Sequence, residues 1–287
     1  MSRVGVGVPV YNGGEVLRES LECLRTQSFE DIEILLGDNA STDETGDICA
    51  EYAARDSRFK HIRRPDNLGS LPNFVDLRRQ SRSELFMWRA YDDLSEPNFI
   101  EELVGCFDHD PQIRLAVSEI RSQPDDRPAP RITRYQPAPR WPRIAGVAHR
   151  LFRSHASWIY GLWHRETLAR EQDRVHEAYP HAWGWDHLCM LPLMLDGQVA
   201  GTNSTSFEQR ILRQGTTSAE RKAKLPGVSF MHGLRADFGR VTWETVKARE
   251  WSTAERFALN TMIPFYIDRR GYSRFKLFRR RLRERSR

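Results

Sequence analysis

The chain begins with Val4-Gly5-Val6-Gly7-Val8-Pro9-Val10, an apolar run that ends in the polar turn Tyr11-Asn12-Gly13-Gly14. A short apolar run bounded by turn residues is typical of a strand that is buried on both faces of a sheet. Leucines then recur at helical spacing at positions 17, 21 and 24, and a second apolar run follows at residues 32–36. Strand, amphipathic helix and strand in this order indicate a βαβ unit, and therefore a parallel sheet.

The same alternation continues to about residue 120. We predict a helix over about 43–55, a strand at 59–63, a helix around Leu71–Leu77, a strand at 84–91, a helix around Phe99–Phe107 and a strand at 115–120. Continuous apolar strands separated by amphipathic helices indicate an α/β fold, with a Rossmann-like, mostly parallel sheet flanked by helices. In such sheets, ligands bind outside the carboxyl ends of the strands.

Four regions follow from composition and periodicity. Residues 1–120 form the α/β half, and residues 121–145 are expected to be a loop because they hold six of the 15 prolines, six arginines and no periodicity. Residues 146–218 are expected to complete the same domain. Residues 219–287 are expected to be a helical C-terminal region with a basic tail.

The composition excludes several classes of protein. With 39% hydrophobic and 29% charged residues, the 287-residue chain has the make-up of a globular protein able to bury a core. No apolar stretch approaches the ~20 residues needed to cross a bilayer, and the start lacks a signal-peptide pattern. The four cysteines are widely spaced, without a Cys-x-x-Cys pair. We therefore expect a cytoplasmic protein, either free or peripheral at the inner face of the membrane, without disulfides.

Polar residues, together with one proline, mark the ends of the first four predicted strands. They are Pro9, Tyr11 and Asn12, then Asp38 to Asp43, then Asn67 and Asn73, and finally Asp92 and Asp93. Any one of these could be an ordinary turn or cap residue. Because parallel strands bring all four ends to one edge of the sheet, the set together favours a binding cleft.

The order and spacing of these motifs are specific. They are Val8-Pro9-Val10-Tyr11-Asn12, Asp38-Asn39-Ala40-Ser41-Thr42-Asp43, Asn67-x-Gly69-x-x-x-Asn73, Asp92-Asp93, Trp185-Asp186, and Arg210 followed by Gly215-Thr216-Thr217-Ser218. In these motifs the chain resembles the family 2 glycosyltransferases, which have the GT-A fold. The likeness is strong over residues 4–110 and patchy over 155–218. It is absent over 121–145 and after about residue 225.

The resemblance implies an inverting hexosyltransferase-type enzyme that moves a sugar from a nucleotide-diphosphate sugar to a hydroxyl acceptor. A UDP-sugar is the default donor, and the acceptor is a saccharide, a lipid-linked saccharide or a small glycoside in cell-surface polysaccharide or glycolipid synthesis. By the same resemblance, Pro9, Tyr11 and Asn12 line the nucleotide and Asp38 pairs with its base. Asn67 and Asn73 lie near the nucleotide. Arg210 or Arg213 would contact the diphosphate, and the alternative is that either one is an ordinary surface arginine.

The acidic pair also matches a metal motif. By the resemblance, Asp92 and Asp93 bind Mg²⁺ or Mn²⁺, with Asp92 as the better ligand, and the metal neutralises the diphosphate. The family usually has Asp-x-Asp followed by another Asp, and Ala90 stands where the first of these belongs. One contact to ribose or to metal-bound water is therefore missing or supplied elsewhere, while metal dependence is still expected.

Asp186 matches the catalytic base of the family. A base of this kind takes the proton of the acceptor hydroxyl as that hydroxyl attacks the anomeric carbon. The alternative is that Asp186 only caps the helix that it opens. Trp183 and Trp185 favour the catalytic interpretation, because aromatic faces commonly pack against sugar rings.

The motifs also have other interpretations. The glycines at 5 and 7 suggest a dinucleotide fingerprint, but Val10 and Pro9 do not fit its phosphate turn. A sugar nucleotidyltransferase would need a basic residue where Glu15 stands. Six of the nine histidines lie between His149 and His187 without zinc-ligand spacing, so an acceptor groove is favoured over zinc. A non-catalytic scaffold of the same fold stays open because of Ala90.

Positive charge is concentrated at the end of the chain. The net charge is +5, and residues 269–287 contribute ten Lys/Arg against one acid. On a helix, Phe275, Phe278 and Leu282 would share a face, which predicts a basic amphipathic segment on an anionic membrane surface. A solvated tail is the alternative. Nucleic acid is not an expected partner, since no reading module accompanies the tail.

Overall fold

The structure is a computed structural model that describes residues 1–124, 129–211 and 227–285. Over these residues the strands are β1 (Val4–Val10), β2 (Ile32–Asp38), β3 (Phe59–Arg63), β4 (Leu85–Trp88), β5 (Leu94–Ser95), β6 (Leu115–Pro124), β7 (Arg131–Thr133), β8 (Leu162–His164) and β9 (Val199–Ile211). The α-helices are α1 (Val16–Arg25), α2 (Thr45–Arg55), α3 (Ser70–Gln80), α4 (Phe99–His109), α5 (Arg143–Arg153), α6 (Arg165–Ala178), α7 (Trp185–Asp196), α8 (Val228–Lys247), α9 (Thr253–Arg270) and α10 (Arg274–Arg285).

The strands form one sheet in the order β3-β2-β1-β4-β8-β6-β9-β5, and β7 pairs with the end of β6. Strands β1 to β4 are mutually parallel, and β6 is parallel to β9. Strand β8 runs antiparallel to both of its neighbours, β4 and β6. The predicted α/β fold with a mostly parallel sheet is confirmed.

The chain divides into two compact units. The first contains the sheet and comprises Met1–Pro137, Ser157–Ala169 and Val199–Leu212. The second comprises Ala138–Ala156, Arg170–Gln198 and Arg213–Arg287. Its described elements are helices, so the predicted helical C-terminal region is confirmed. Within the described ranges, no helix combines the length and the apolar content that a membrane span requires.

Glycines in β1 and β2 allow α3 to approach the sheet closely. A Cβ atom on Gly7 would lie 2.8 Å from Cζ of Phe86 and 3.1 Å from Cβ of Leu77. A Cβ atom on Gly37 would lie 2.9 Å from Cδ1 of Leu77 and 2.7 Å from Oδ1 of Asn73. The opposite face of β1 carries buried valines at positions 4, 6, 8 and 10. The alternating glycines of β1 therefore make room for α3.

The second unit is built around α7. The residues of α7 from His187 to Leu195 are all buried, as expected of a helix that is apolar on all sides. Helices α5 and α8 pack against it. Helix α8 in turn packs against α9 and α10.

The segment 121–145 was expected to be a loop, and much of its described part has regular structure. Strand β6 continues to Pro124 because its backbone pairs with β9 as far as Ile211, although the strand end is polar. Strand β7 pairs with β6, and α5 begins at Arg143. A polar edge strand carries no apolar run, so the periodicity test misses it.

We predict opposite effects for two glycine substitutions in the first unit. Gly7→Ala should lower the free energy of unfolding by about 1–3 kcal/mol, because the new methyl group overpacks against Phe86 and Leu77. Gly105→Ala is the control, since no atom lies within 4 Å of the added Cβ on α4, and it should stabilise by roughly 0.5–1 kcal/mol. Urea unfolding followed by circular dichroism measures both. An unchanged midpoint for Gly7→Ala would show that α3 packs less closely than described.

Candidate functional site

Asp38 ends β2 at the carboxyl edge of the sheet, and its side chain is fully buried. Its Oδ1 accepts a hydrogen bond from the backbone N–H of Ser41 at 2.8 Å. Its Oδ2 lies 3.5 Å from Nη1 of Arg63 and 3.7 Å from Nε2 of His61. Among the described residues this second oxygen has no hydrogen-bond partner. Asp38 is therefore fixed by one oxygen and has acceptor capacity on the other.

Asn39 ties the loop after β3 to the end of β2. Its Nδ2 donates to Oδ1 of Asn67 at 2.8 Å and to the carbonyl of Gly69 at 3.1 Å. Its Oδ1 accepts from the N–H of Leu68 at 3.1 Å. The exposed Asn67 thus lies beside Asp38's neighbour, at the predicted cleft.

Asn12 joins the loop after β1 to the loop after β2. Its backbone N–H donates to Oγ of Ser41 at 3.0 Å, and its Oδ1 accepts from the N–H of Thr42 at 2.9 Å. Asn12 adopts a positive φ of 50°, which asparagine tolerates better than most residues. Beside it, Tyr11 is 45% exposed and Pro9 is buried. Tyr11 is therefore the side chain of this turn that presents a free ring to solvent.

Asn73 joins α3 to the end of β2. Its buried side chain donates from Nδ2 to the carbonyl of Gly37 at 2.7 Å, and its Oδ1 accepts from Nε of Arg64 at 3.2 Å. These contacts hold the residue that precedes Asp38. A contact between Asn73 and the nucleotide stays a prediction.

Arg210 lies at the acidic pair. From β9, its backbone N–H donates to Oδ1 of Asp93 at 2.9 Å, and its Nε donates to the carbonyl of Asp92. Its Nη1 donates to Glu19 at 2.6 Å. Its buried Nη2 has no hydrogen-bond partner among the described residues and can donate to an anion. Arg213 and residues 215–218 lie outside the described residues.

The two carboxyl groups of the pair are both harder to ionise than usual. Burial, together with the charge of Asp92, raises the pKa of Asp93 to about 7. Burial also raises the pKa of Asp92, and the charge of Arg210 opposes this shift. A cation placed at this pair would relieve both costs.

The donor set fits a divalent cation that takes some of its ligands from the protein and the others from a substrate. Among the described residues no group of three His, Cys, Asp or Glu is placed to hold a metal. Asp92 and Asp93 supply two carboxylates, and one oxygen of Asp93 is already engaged by Arg210. Mg²⁺ is commonly bound by one or two carboxylates, substrate phosphates and water. The residues present match that pattern, while the side chain of Ala90 supplies no ligand.

Arg89 is a buried cation behind the acidic pair, and sequence reasoning missed it. Its side chain is fully buried, with the guanidinium 5.4 Å from the ring of Phe99 and 5.1 Å from that of Phe207. Its Nη2 donates to Oγ of Ser95 at 2.7 Å. Burial lowers the pKa of Arg89, and the charge of Asp93 opposes this shift. The signal in the sequence is an arginine directly after a buried strand.

Asp186 lies in the second unit, in the first turn of α7. The N-cap of α7 is Gly184, which makes no side-chain cap hydrogen bond. Burial raises the pKa of Asp186, and the charge of Arg270 partly opposes this. A carboxylate with a raised pKa is a stronger base than an exposed one.

Tyr179, Phe238 and Tyr272 hold the segment before Asp186. The hydroxyl of Tyr179 donates to the carbonyl of Trp183 at 2.6 Å. Gly184 adopts a positive φ of 81°, and a Cβ atom there would lie 3.1 Å from the ring of Phe238. Trp183 is 56% exposed and stacks on Tyr272 with ring centroids 5.7 Å apart.

A hydrogen bond adds to this support, since Nε2 of His181 lies 2.9 Å from Oδ2 of Asp237. Of these supporting residues, only Trp183 was recognised from the sequence. Gly184 was the one local signal, because a backbone conformation with positive φ favours glycine.

Known proteins are similar in sequence to part of this chain. Over about 100 residues, the chain is 35% identical to the putative glycosyltransferase EpsH of Bacillus subtilis and 32% identical to the glycosyltransferase GlyG of Streptococcus pneumoniae. Each match covers 35% of this chain, but only 29% of EpsH and 33% of GlyG. The matches thus span about a third of these curated relatives.

Solved structures have the same fold. S. aureus TarS 1–349 in complex with UDP-GlcNAc superposes with a TM-score of 0.62 at 14% identity, covering 85% of this chain and 71% of that one. The mannosyltransferase PcManGT from Pyrobaculum calidifontis, in complex with GDP-Man and Mn²⁺, gives a TM-score of 0.54 at 14% identity, covering 93% and 72%.

The sequence model described as Glycosyl transferase family 2 matches residues 5–184. This range includes Asp38, Asp92 and Asp93 and ends two residues before Asp186. The resemblance inferred from the sequence is confirmed: the chain belongs to glycosyl transferase family 2.

Proposed function

We propose that this glycosyltransferase moves a sugar from a nucleoside diphosphate sugar to a hydroxyl acceptor, with inversion at the anomeric carbon. The observation that carries the proposal is the group at the carboxyl ends of the parallel strands. This edge holds Asp38, a buried carboxylate with an unused acceptor oxygen. It also holds the acidic pair Asp92–Asp93, and Arg210 with an unused donor. UDP-GlcNAc bound to TarS and GDP-Man bound to PcManGT support this class of donor.

In the proposed donor complex, Tyr11 and Pro9 contact the base and ribose. Asp38 accepts a hydrogen bond from a base N–H through its free oxygen, a donor that uracil and guanine both carry. Nη1 of the half-exposed Arg63 lies 3.5 Å from this oxygen, so the Arg63 side chain must move before a ligand binds there. Asn12, Asn67 and Asn73 complete the nucleotide side, and Arg210 donates to the diphosphate through Nη2.

Asp92 would hold a Mg²⁺ or Mn²⁺ ion, with Asp93 as the second carboxylate. Such an ion neutralises the charge that develops on the departing diphosphate. The Mn²⁺ bound to PcManGT supports this choice of metal. Arg210 adds a permanent positive charge at the same position.

Asp186 would act as the general base. The carboxylate takes the proton of the acceptor hydroxyl, the hydroxyl oxygen bonds to the anomeric carbon, and the nucleoside diphosphate leaves with the electrons of the broken bond. Attack from the face opposite the diphosphate inverts the configuration. The raised pKa of Asp186 suits this role, because proton transfer is most effective when the pKa of the base is close to the working pH.

The acceptor that we propose is a saccharide hydroxyl, on a small glycoside, a lipid-linked saccharide or a growing cell-surface polysaccharide, with the enzyme on the cytoplasmic side. A second candidate is a non-catalytic member of the fold that binds the nucleotide without transfer. Ala90 favours this second candidate, since it removes one carboxylate from the acidic motif. Slow hydrolysis of a donor, or transfer to any acceptor, would exclude it.

Asp186→Asn should retain nucleotide binding and lower the rate of transfer or donor hydrolysis by roughly 10²–10⁴-fold, because the amide cannot accept the proton. Isothermal titration with UDP and GDP measures binding, and release of the nucleoside diphosphate measures turnover. The exposed Asp173 on α6 provides the matched control, Asp173→Asn. Turnover by Asp186→Asn at the wild-type rate would remove Asp186 from the base role.

Asp92→Ala should weaken nucleotide binding roughly 10- to 100-fold in the presence of Mn²⁺, because the variant loses a metal ligand. Without metal, the affinities of variant and wild type should be similar. Asp47→Ala, an exposed position on α2, is the control. The metal assignment fails if Asp92→Ala keeps the wild-type response to Mn²⁺.

A further inference from the structure

Helix α10 displays three large apolar side chains to solvent. Phe275 is 67% exposed, Phe278 is 58% exposed and Leu282 is 49% exposed. Their spacing of three and seven residues places them on one face of the helix. Large exposed apolar side chains grouped on one face of a helix often mark an interaction site.

The opposite side of α10 attaches the helix to the second unit. Leu277 is only 1% exposed, and α10 packs against α8. Arg280, on the same side as Leu277, reaches Sδ of Met231 at 3.4 Å. The face that carries Phe275, Phe278 and Leu282 therefore points away from the unit and is held there by the packed side.

Positive charge borders the apolar face. The exposed cations on the described part of α10 are Arg274, Lys276, Arg279 and Arg281. At helical spacing, Arg279 falls on one flank of the apolar face and Arg274 on the other. Residues 269–287 contain ten Lys/Arg and a single acid, Glu284, so the segment carries a large net positive charge.

We propose that α10 is a docking surface for a bilayer that contains anionic lipids. The cations would lie against the lipid phosphates while Phe275, Phe278 and Leu282 enter the interface between headgroups and acyl chains. A nucleic acid would match the charge but would leave the apolar face uncovered. A second copy would cover the apolar face but would bring two strongly positive helices together.

The same surface is connected to the segment that carries Asp186. Tyr272, two residues before α10, stacks on Trp183, which lies three residues before Asp186. A docked α10 would hold this segment close to the headgroups. Among the acceptors considered, this position would favour a saccharide carried on a lipid, an extension that rests on the proposed function, whereas docking itself does not.

The test uses the full chain and vesicles in a sedimentation assay. The chain should co-sediment with phosphatidylcholine vesicles that contain a quarter phosphatidylglycerol, and it should not co-sediment with pure phosphatidylcholine. Raising the salt concentration should weaken binding, because the lipid charges are screened. The double variant Phe275→Ala/Phe278→Ala should lose at least about tenfold in partitioning, since two buried phenyl rings are removed.

The chain offers a matched control on α9. Phe257 and Phe265 are 76% and 65% exposed. The double variant Phe257→Ala/Phe265→Ala therefore also removes two exposed phenyl rings, but leaves α10 unchanged. This control should bind vesicles as the wild type does. Circular dichroism and UDP binding should be unchanged in both double variants, which separates failed docking from failed folding or a failed donor site.

Three results would overturn the proposal. The first is equal binding to vesicles with and without phosphatidylglycerol, or no binding to either. The second is a dimer in sedimentation velocity without vesicles that Phe275→Ala/Phe278→Ala dissociates, which would assign the face to a second copy. The third is that the α10 variant still binds vesicles as the wild type does. Binding of the wild-type chain to duplex DNA as tightly as to vesicles, at the same ionic strength, would count equally against the proposal.

Discussion

The close approach of α3 to β1 and β2 is the constraint on which the donor side of the molecule depends. Gly7 and Gly37 leave no Cβ atom in the space that Leu77 occupies. With α3 this close, Asn73 reaches the carbonyl of Gly37, the residue directly before Asp38. The position of the buried Asp38 carboxylate therefore follows from how closely a helix can pack on a sheet, and only glycine at these strand positions permits that packing.

Beyond the strands, polar cross-links rather than apolar packing hold the loops in place. Asn12 joins the first two loops, and Asn39 joins the second to the third through Asn67. These amides spend much of their hydrogen-bonding capacity on the protein itself. Tyr11, Asp38 and Arg210 keep a ring face, an acceptor or a donor that the described residues do not use. The hydrogen-bond pattern thus separates the side chains that hold the loops from those that keep unused capacity.

The sequence was enough to predict the parallel core but not its edges. Strands β1 and β3 have the predicted limits because buried parallel strands appear as apolar runs. Strands β5, β7 and β8 were not predicted, since each has only two or three residues and no periodicity can develop over that length. Motif order indicated Asp38, Asp92 and Asp93 as candidate site residues, and their roles stay predictions. Contacts distant in sequence, such as Arg210 with Glu19, gave no local signal.

The central claim is that the first unit binds a nucleoside diphosphate together with a divalent cation. Thermal unfolding of the wild-type chain with UDP, GDP, dTDP and CDP, each with and without Mn²⁺, tests it most directly. A ligand present at a hundred times its dissociation constant stabilises by about 2.7 kcal/mol, which is readily measured. We expect one of the four nucleotides to raise the melting temperature more with Mn²⁺ than without it, and UDP is the one that we expect. No shift with any of the four would contradict the claim and favour the non-catalytic interpretation that Ala90 suggests.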